Sequence, residues 1–453
     1  LDLKTEVRPG LVLDLTLNTD FAQVEVDDEQ VNLTRFSLFF PEKRDIFLEN
    51  SGIFDFGIQG NPFEPPPFQM FFSRRIGIEE DEDEVVPLLG GARLTGRLGG
   101  QTVGFLNVIT DEVEGLVPRE SFSVARVKRD VGESNYVGLM ATDRRSSDDW
   151  NTVLGVDGSF YLTPEINVQA WLAHTFTKGE GGDDLAYAFV GNYATDRWGL
   201  FARHIAVGPD AETRMGFIER EDVRRTDFFG SRGFRPGKYG IRKMDFILGG
   251  NLLTGLSGGL QDWSGGPILL TEFDSGDRIT LFAQAGENRP DEEFELADTL
   301  EVPPGTYNGD VFMAMVTTSP SRPAVVEGNV RFSNFYGGTL TAFGGNLTLS
   351  PSPRISLVLG QNRNLVDIPS GSFTADITSL RANYSFSTRL TTNLLVQYNS
   401  LDEVFSTNFR LNFIHRPGSD LFLVLTEERG EEGDLWELSD RGLALKVTYL
   451  RRF

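Results

Sequence analysis

The sequence contains no cysteine and no long apolar run. The absence of cysteine excludes a disulfide framework and any metal site built on thiolates. A membrane-spanning helix needs about 18 or more consecutive apolar residues, and no such stretch occurs. Because only helices and closed β-barrels satisfy their backbone polar groups in lipid, a membrane-spanning role would have to come from β-strands.

Histidine is scarce, and recognisable catalytic motifs are absent. The three histidines, His174, His204 and His415, are far apart, and each ends an aromatic or apolar strand, where we expect a structural role. The sequence has no Gly-x-Ser-x-Gly elbow, no His-Glu-x-x-His pair and no Walker-type loop. We therefore predict that the protein is not an enzyme and uses no catalytic residue, cofactor or metal ion.

Acidic residues dominate the charge, and the formal net charge is −24. A surface of this sign repels nucleic acid, so no nucleic-acid partner is expected. The excess indicates acidic outer loops, an acidic lumen or both. The run from Glu79 to Glu84 offers oxygen ligands for calcium or magnesium, but it lacks the glycine and spacing of a calcium loop. We interpret it as a solvated acidic loop.

Apolar and polar side chains alternate along most of the chain, and this is its most informative feature. Successive side chains of a strand point to opposite sides of the sheet, so each such strand has one apolar and one polar side. A soluble sandwich remains an alternative, because its strands also bury one side only. The polar sides are rich in Asn, Gln, Ser and Arg, as expected for a wet lumen, and the terminal Phe453 is typical of the last strand of an outer-membrane barrel.

The alternation assigns a direction to individual side chains. The predicted lipid-facing residues include Leu154, Val156, Leu394, Val396, Tyr398, Phe409, Leu411, Phe413, Leu443, Leu445 and Val447. The predicted lumen-facing residues are Arg93, Arg97, Asn167, Gln169, Arg381, Asn383, Asn393, Gln397, Asn408, Arg410 and Asn412. Arginine at Val396 should therefore impair assembly, whereas arginine at Gln397 should be tolerated.

These patterns predict an all-β fold, a transmembrane antiparallel up-and-down β-barrel formed by residues 1–453 as one domain. Short turns rich in Gly, Pro and Ser alternate with long acidic loops, and strands of ordinary membrane-spanning length give about 24–26 strands. In a closed barrel the last strand pairs with the first, around Leu1–Val7. The expected location is the bacterial outer membrane. Because an exported chain carries a signal, we expect a further segment upstream of Leu1.

Residues 20–66 do not fit a barrel wall and form an insert between strands 2 and 3. Asp28 is a plausible N-cap for a helix over Glu29–Phe40 that ends at Pro41. We favour a partly helical plug in the lumen, and a periplasmic cap or a surface excursion is the alternative. The charged plug residues are Arg35, Glu42, Lys43, Arg44 and Glu49. Buried charges need partners, so Arg35 and Arg44 should contact carboxylates or backbone carbonyls.

Several segments resemble the family described as DUF5916. They are Thr16–Asp28, Gln30–Phe36, Phe39–Arg44, Phe71–Gly77, Gln397–Asn399 and Arg416–Val424, and the resemblance extends over residues 1–453. It implies an outer-membrane barrel of Gram-negative bacteria. Family members often carry an N-terminal domain similar to family 9 carbohydrate-binding modules. This sequence lacks that domain, so a glycan-binding role is not expected from the resemblance.

Two classes of function follow. In the first, the protein is a plugged channel or translocation pore of the outer membrane. In the second, it is a structural or docking barrel that anchors a lipoprotein, a filament or a surface-layer protein. Both imply contact with outer-membrane lipids, and both imply recognition of the C-terminal strand ending at Phe453 by the barrel assembly machinery. An open cross-section would favour the channel, and a sealed one would favour docking.

Overall fold

The computed structural model describes residues 1–19, 26–36, 38–57, 67–79, 84–115, 117–179, 184–297, 300–430 and 437–451. These residues form an all-β structure, which confirms the predicted class. Helical structure within them is limited to α1 (Asp45–Leu48) and the 3-10 helices Ser51–Phe54 and Ser73–Arg75. In the described ranges, no helix has the length and apolar character needed to cross a bilayer.

The strands are numbered along the chain. The first fifteen are β1 (Asp2–Arg8), β2 (Leu11–Thr19), β3 (Phe68–Gln69), β4 (Ile78–Glu79), β5 (Glu84–Val85), β6 (Leu88–Leu98), β7 (Gln101–Thr110), β8 (Ser121–Val131), β9 (Asn135–Arg145), β10 (Trp150–Thr163), β11 (Ile166–Thr177), β12 (Leu185–Ala194), β13 (Trp198–Val207), β14 (Phe217–Ile218) and β15 (Val223–Phe234). The next fifteen are β16 (Ile241–Thr254), β17 (Leu260–Phe273), β18 (Arg278–Asn288), β19 (Phe294–Leu296), β20 (Leu300–Val302), β21 (Tyr307–Asn308), β22 (Val311–Thr317), β23 (Ala324–Phe335), β24 (Gly338–Ser352), β25 (Ile355–Ile368), β26 (Gly371–Ser387), β27 (Leu390–Asn399), β28 (Val404–Arg416), β29 (Ser419–Arg429) and β30 (Leu438–Val447).

Among the described residues, 24 of these strands belong to one large sheet, and three short pairs stand apart from it. The number agrees with the expectation of about 24–26 strands from membrane-spanning strand lengths. The chain divides into two compact units, one of residues 1–21, 36–230 and 251–261, the other of residues 22–35, 231–250 and 262–453.

The first unit contains an antiparallel meander in which sequence neighbours pair. Strand β1 pairs with β2, and β2 pairs with β6 across the long connection between them. From β6 to β13 each strand pairs with the next. Short turns join many of these strands, as the Gly and Pro clusters predict. The result is the up-and-down topology expected from the alternation.

The second unit repeats this arrangement. From β17 to β18 and from β22 to β30 each strand pairs antiparallel with the next, and β18 pairs with both β21 and β22. The registers place Gln397 opposite Ser406, Ser406 opposite Glu428 and Glu428 opposite Asp440. These four residues therefore form one polar row across β27–β30.

The two sides of the first unit's strands differ in chemistry. On one side, large apolar residues are exposed, including Leu139 at 61% and Phe189 at 59% of full exposure. The other side is covered by residues of the connection between β2 and β6. We call this covered side the insert-facing side, and in the second unit the same name denotes the side that carries Gln397. Apolar residues therefore occur on both sides of these strands, and the side left exposed carries large apolar side chains, which is unusual for a sheet that faces water.

The predicted helix over Glu29–Phe40 is wrong, since the described residues 29–36 and 38–40 contain none. A local side-chain contact accounts for part of this result. The Oδ1 atom of Asn32 accepts hydrogen bonds from the backbone N–H and the hydroxyl of Thr34, and such contacts compete with helix formation. The single α-helical turn lies later, at α1. The connection that was expected to end at residue 66 continues to Leu88, where β6 begins.

Candidate functional site

The inserted connection packs on the sheet through a large apolar cluster. We define the insert body as residues 38–57 and 67–79. Its buried side chains include Phe47, Phe54, Phe56, Phe68, Met70 and Ile76, which share one core with residues of β6–β13. The ring of Trp171 on β11 stacks on Phe68 with centroids 4.9 Å apart. Each fully buried side chain of this size contributes about 1.5–3 kcal/mol, so the body is firmly attached.

A glycine in the wall makes room for the insert body. A Cβ atom on Gly155 would lie 2.4 Å from Sδ of Met70 and 2.6 Å from the Phe56 ring. No side chain fits at that distance without displacing the body. The wall of β10 is therefore shaped to receive this segment.

Arg93 on β6 ties the wall to the end of α1. Its guanidinium donates to the carbonyl oxygens of Ile46 at 2.6 Å and Glu49 at 2.7 Å. It also donates to the carboxylates of Asp14 at 2.7 Å and Glu49 at 2.8 Å. Arg93 is almost completely buried. This predicted lumen-facing arginine thus holds a predicted plug residue, Glu49.

Arg44 and Glu42 hold the two halves of the insert body together. The guanidinium of Arg44 donates to the carbonyl oxygens of Ile76 and Ser73, both at 2.6 Å, and to Glu42 at 2.8 Å. Burial raises the pKa of Glu42, but the hydrogen bonds and charge of Arg44 outweigh it and hold the pKa below its ordinary value. The partners expected for Arg44 are therefore present.

The most deeply buried ion pair lies between two wall strands. Arg126 on β8 binds Asp157 on β10 through two parallel bonds of 2.6 Å and 2.7 Å, and their side chains are 0% and 1% exposed. The pair crosses Gly138 on β9, where a Cβ atom would lie 2.5 Å from both partners. Asp157 also accepts bonds from the Tyr136 hydroxyl and from the backbone N–H of Gly57 in the insert body.

A second charged contact lies beside this pair. Lys128 on β8 donates through Nζ to the carbonyl oxygen of Gly52, 3.2 Å away. Burial raises the pKa of Asp55 in the insert body, and the charges of Lys128 and Arg126 offset this only in part. The edge of the insert body therefore meets the wall through polar groups at the solvent-exposed margin of the contact.

The insert body also contacts the segment between β13 and β15. Strand β3 pairs with β14, and the N–H of Phe72 donates to the carbonyl oxygen of Met215 at 2.7 Å. Arg75 donates to the carbonyl oxygen of Gly216 at 3.2 Å. The body is thus fixed on two sides by backbone as well as side-chain bonds.

Residues 26–35, which we call the arm, belong to the second unit. The amide of Gln397 accepts a bond from the N–H of Glu29 at 3.0 Å and donates to the carbonyl oxygen of Asp27 at 3.1 Å. Arg381 binds Asp28 at 2.7 Å, and Arg35 binds Asp291 at 3.3 Å. The carboxylate partner expected for Arg35 is present. Leu33 packs at the margin of a second apolar cluster, with Leu296, Leu340 and Val366 in its centre.

The other predicted lumen-facing residues lie in several settings. Asn167 donates to Ser159 and accepts from Gln169 within the first unit. Arg97 forms an exposed pair with Asp130 near a turn. Asn383, Asn393, Asn408, Arg410 and Asn412 share the side of Gln397 by register. Whether that side lines a lumen stays a prediction.

Several residues singled out in the sequence lie outside the described residues or away from the insert. Phe453 and most of the acidic run at 79–84 lie outside the described residues. His174 stacks on Phe176 with ring centroids 4.4 Å apart, and Nδ1 of His204 lies 2.9 Å from the Thr226 hydroxyl. In the described part of the chain, no three His, Cys, Asp or Glu side chains cluster to hold a metal. Arg126 was not predicted as a site residue, although an arginine that continues the alternating apolar positions Phe122 and Val124 was a visible signal.

Comparison with known proteins adds one match. A search of curated proteins finds no relative. Residues 1–139, which include β1, β2, the inserted connection and β6–β8, match the model of the family described as "Domain of unknown function (DUF5916)", which confirms the predicted resemblance over that part of the chain.

Proposed function

We propose that this protein is an outer-membrane β-barrel that acts as a plugged channel or translocation pore. In this proposal β30 pairs with β1 to close the barrel, and the insert body and arm occupy its lumen. A barrel of this strand number would be wide enough for solute passage, so an inserted segment would set its permeability. The acidic excess of the chain would favour cations at its mouths.

The observation that carries the proposal is the exposed apolar surface of the first unit, together with the place of its buried ion pairs. Ion pairs such as Arg126–Asp157 and Arg93–Asp14 lie on the insert-facing side, whereas Leu139, Phe189 and their neighbours are exposed. A continuous exposed apolar surface of this kind would aggregate in water. In a bilayer it would meet acyl chains, and the pairing of neighbouring strands would satisfy their backbone polar groups there.

The membrane part of the proposal predicts a depth-dependent cost for charge. Leu139→Arg places a cation at the centre of β9 and should cost about 2–4 kcal/mol, which reduces assembly into membranes. If the residue faced water, arginine at a site this exposed would be nearly neutral. The measurement is the fraction of folded, heat-modifiable protein in lipid vesicles.

Val131→Arg is the matched control, because Val131 is also exposed but lies at the end of β8, next to Arg129 and Asp130. The cost there should be about 0–1 kcal/mol, since it falls toward the interface. Equal assembly of both variants would contradict the membrane assignment. Gln397 is no longer suitable as the tolerant control, because it is 2% exposed and binds the arm.

The alternative function, a docking barrel, is supported by the firm attachment of the insert body. The insert body is held by a shared apolar core, by Arg93 and by backbone bonds to residues 215–216. A segment fixed in this way suits a permanently sealed barrel whose outer surface or loops hold a partner protein. Conductance measurements, described below, separate the two functions.

A further inference from the structure

The arm and the insert body are held by different kinds of contact. The body places six aromatic or aliphatic side chains in a buried core, whereas Leu33 is the arm's contribution to an apolar cluster. The ion pairs of the arm involve Asp28 and Asp291, whose side chains are largely exposed to solvent. Exposed ion pairs contribute little and are screened by salt. None of residues 26–35 is buried, so the arm has the less buried attachment of the two.

Gln397 provides the central attachment of the arm. Its side-chain amide forms one accepted and one donated bond with the arm backbone, at Glu29 and Asp27, as a neighbouring strand residue would. Gln397 also belongs to the polar row with Ser406, Glu428 and Asp440. The arm consequently lies on a part of the sheet that carries negative charge.

Glu29 meets further carboxylates at this position. Burial raises the pKa of Glu29, the charges of Asp402 and Glu428 raise it further, and a hydrogen bond from Asn399 opposes them. Asn399 is shared, because its amide also donates to Asp402 at 2.6 Å. Asp440 in the row and the Asp28–Arg381 pair also lie near this position, and Glu427 lines the same cavity as Gln397, Glu428 and Asp440.

The direction of the pH effect follows from this arrangement. Because the pKa of Glu29 is raised when the arm is docked, docking is favoured while Glu29 is protonated. This contribution to the stability of the docked arm is complete below the ordinary pKa of a free glutamate. It is lost as the pH rises through the raised pKa of Glu29. Ionised Glu29 then repels Asp402 and Glu428.

We propose that the arm is the releasable part of the insert, held on the sheet by Gln397 and Arg381 and freed when Glu29 is ionised, while the insert body stays in place. This inference rests on the proposed channel function, for which it supplies the moving element. The residues that control release of the arm, Glu29, Gln397 and Arg381, all belong to the second unit. The buried contacts of the insert body stay unchanged.

The absence of cysteine allows a direct test. Gln30→Cys and Leu48→Cys each introduce one exposed thiol, the first on the arm and the second on α1 of the body. Spin labels at these positions are compared in the full-length protein in lipid vesicles, from about pH 4 to about pH 8, a range that spans the ordinary glutamate pKa and values raised above it. The label at 30 should become more mobile as pH rises, and the mobility of the label at 48 should stay unchanged.

Two further variants test the mechanism. In the presence of Glu29→Gln, which removes the titrating group, the label at 30 should lose its pH dependence. In the presence of Gln397→Met, which keeps the side-chain length but removes both amide bonds, the label should be mobile even at the lowest pH. A label at 30 that is immobile at every pH, or labels at 30 and 48 that loosen together, would overturn the proposal.

Conductance of the same preparations separates this inference from the function on which it rests. Release of the arm without any change in conductance contradicts the channel and supports the releasable arm. Changes in conductance with an immobile label at 30 contradict the releasable arm and support the channel.

Discussion

Replacement of residues 24–60 by a short Gly-Ser linker should convert a poorly conducting protein into an open channel. These residues include the whole arm, α1 and the aromatic side chains of Phe47, Phe54 and Phe56 that share the core with the wall. Their removal would take away much of the segment that fills the proposed lumen and lower the barrier to ion flow. The measurement is single-channel conductance in planar bilayers, where the deletion variant should show large openings with some cation preference.

The intact protein, reconstituted at the same protein-to-lipid ratio, is the reference for this experiment. Heat modifiability must first establish that the variant has folded, since the insert body contributes much of the first unit's core. Unchanged conductance in a correctly folded variant would show that the insert is no plug. The docking function would then be the better account of the protein.

A plugged channel with a releasable arm would require two kinds of attachment within the insert. If the insert is a plug, it must resist the passage of solutes, and the buried contacts of Arg93 and Trp171 with the insert body suit that task. A regulated pore also needs one part that moves at modest cost, and the polar contacts of Gln397 and Arg381 with the arm are of that kind. The different attachments of the two parts are therefore consistent with a partial opening, in which the body remains bound.

The sequence predicted the strands and their two sides well, because alternation is a local property. Val396 and Gln397 are adjacent, and their difference in polarity is visible without any tertiary information. The same rule correctly grouped Asn393, Gln397, Asn408 and Arg410 on one side, since pairing in a meander preserves the faces. Closure of the barrel through β1 and β30 remains a prediction.

The insert was less predictable because its conformation depends on distant partners. A helix was expected over Glu29–Phe40, but Phe39 instead stacks on Phe72, with ring centroids 4.8 Å apart. Glu29 is held by Gln397, which is more than 360 residues away in sequence. The contact between Arg126 and Asp157 could not be predicted from the sequence. It depends on the registers of both strand pairs, β8 with β9 and β9 with β10.

Arg126→Met should strongly destabilise the protein, because it removes one partner of a fully buried ion pair. Asp157 would keep bonds from Tyr136 and Gly57, but its charge would have no cation at bonding distance. Loss of one partner of such a pair costs about 3–5 kcal/mol. The expected result is a lower denaturant midpoint for unfolding in lipid vesicles, followed by the fluorescence of the five tryptophans.

Two comparisons identify the buried charge as the cause. Arg97→Met removes an arginine from the exposed pair with Asp130, whose side chains are 66% and 40% exposed, and should cost under about 1 kcal/mol. The double variant Arg126→Met, Asp157→Asn removes both charges and should recover much of the loss, since it leaves no buried carboxylate without a cation. If the double variant were as unstable as Arg126→Met alone, the lost packing of the arginine side chain against Phe56 would be the main cause.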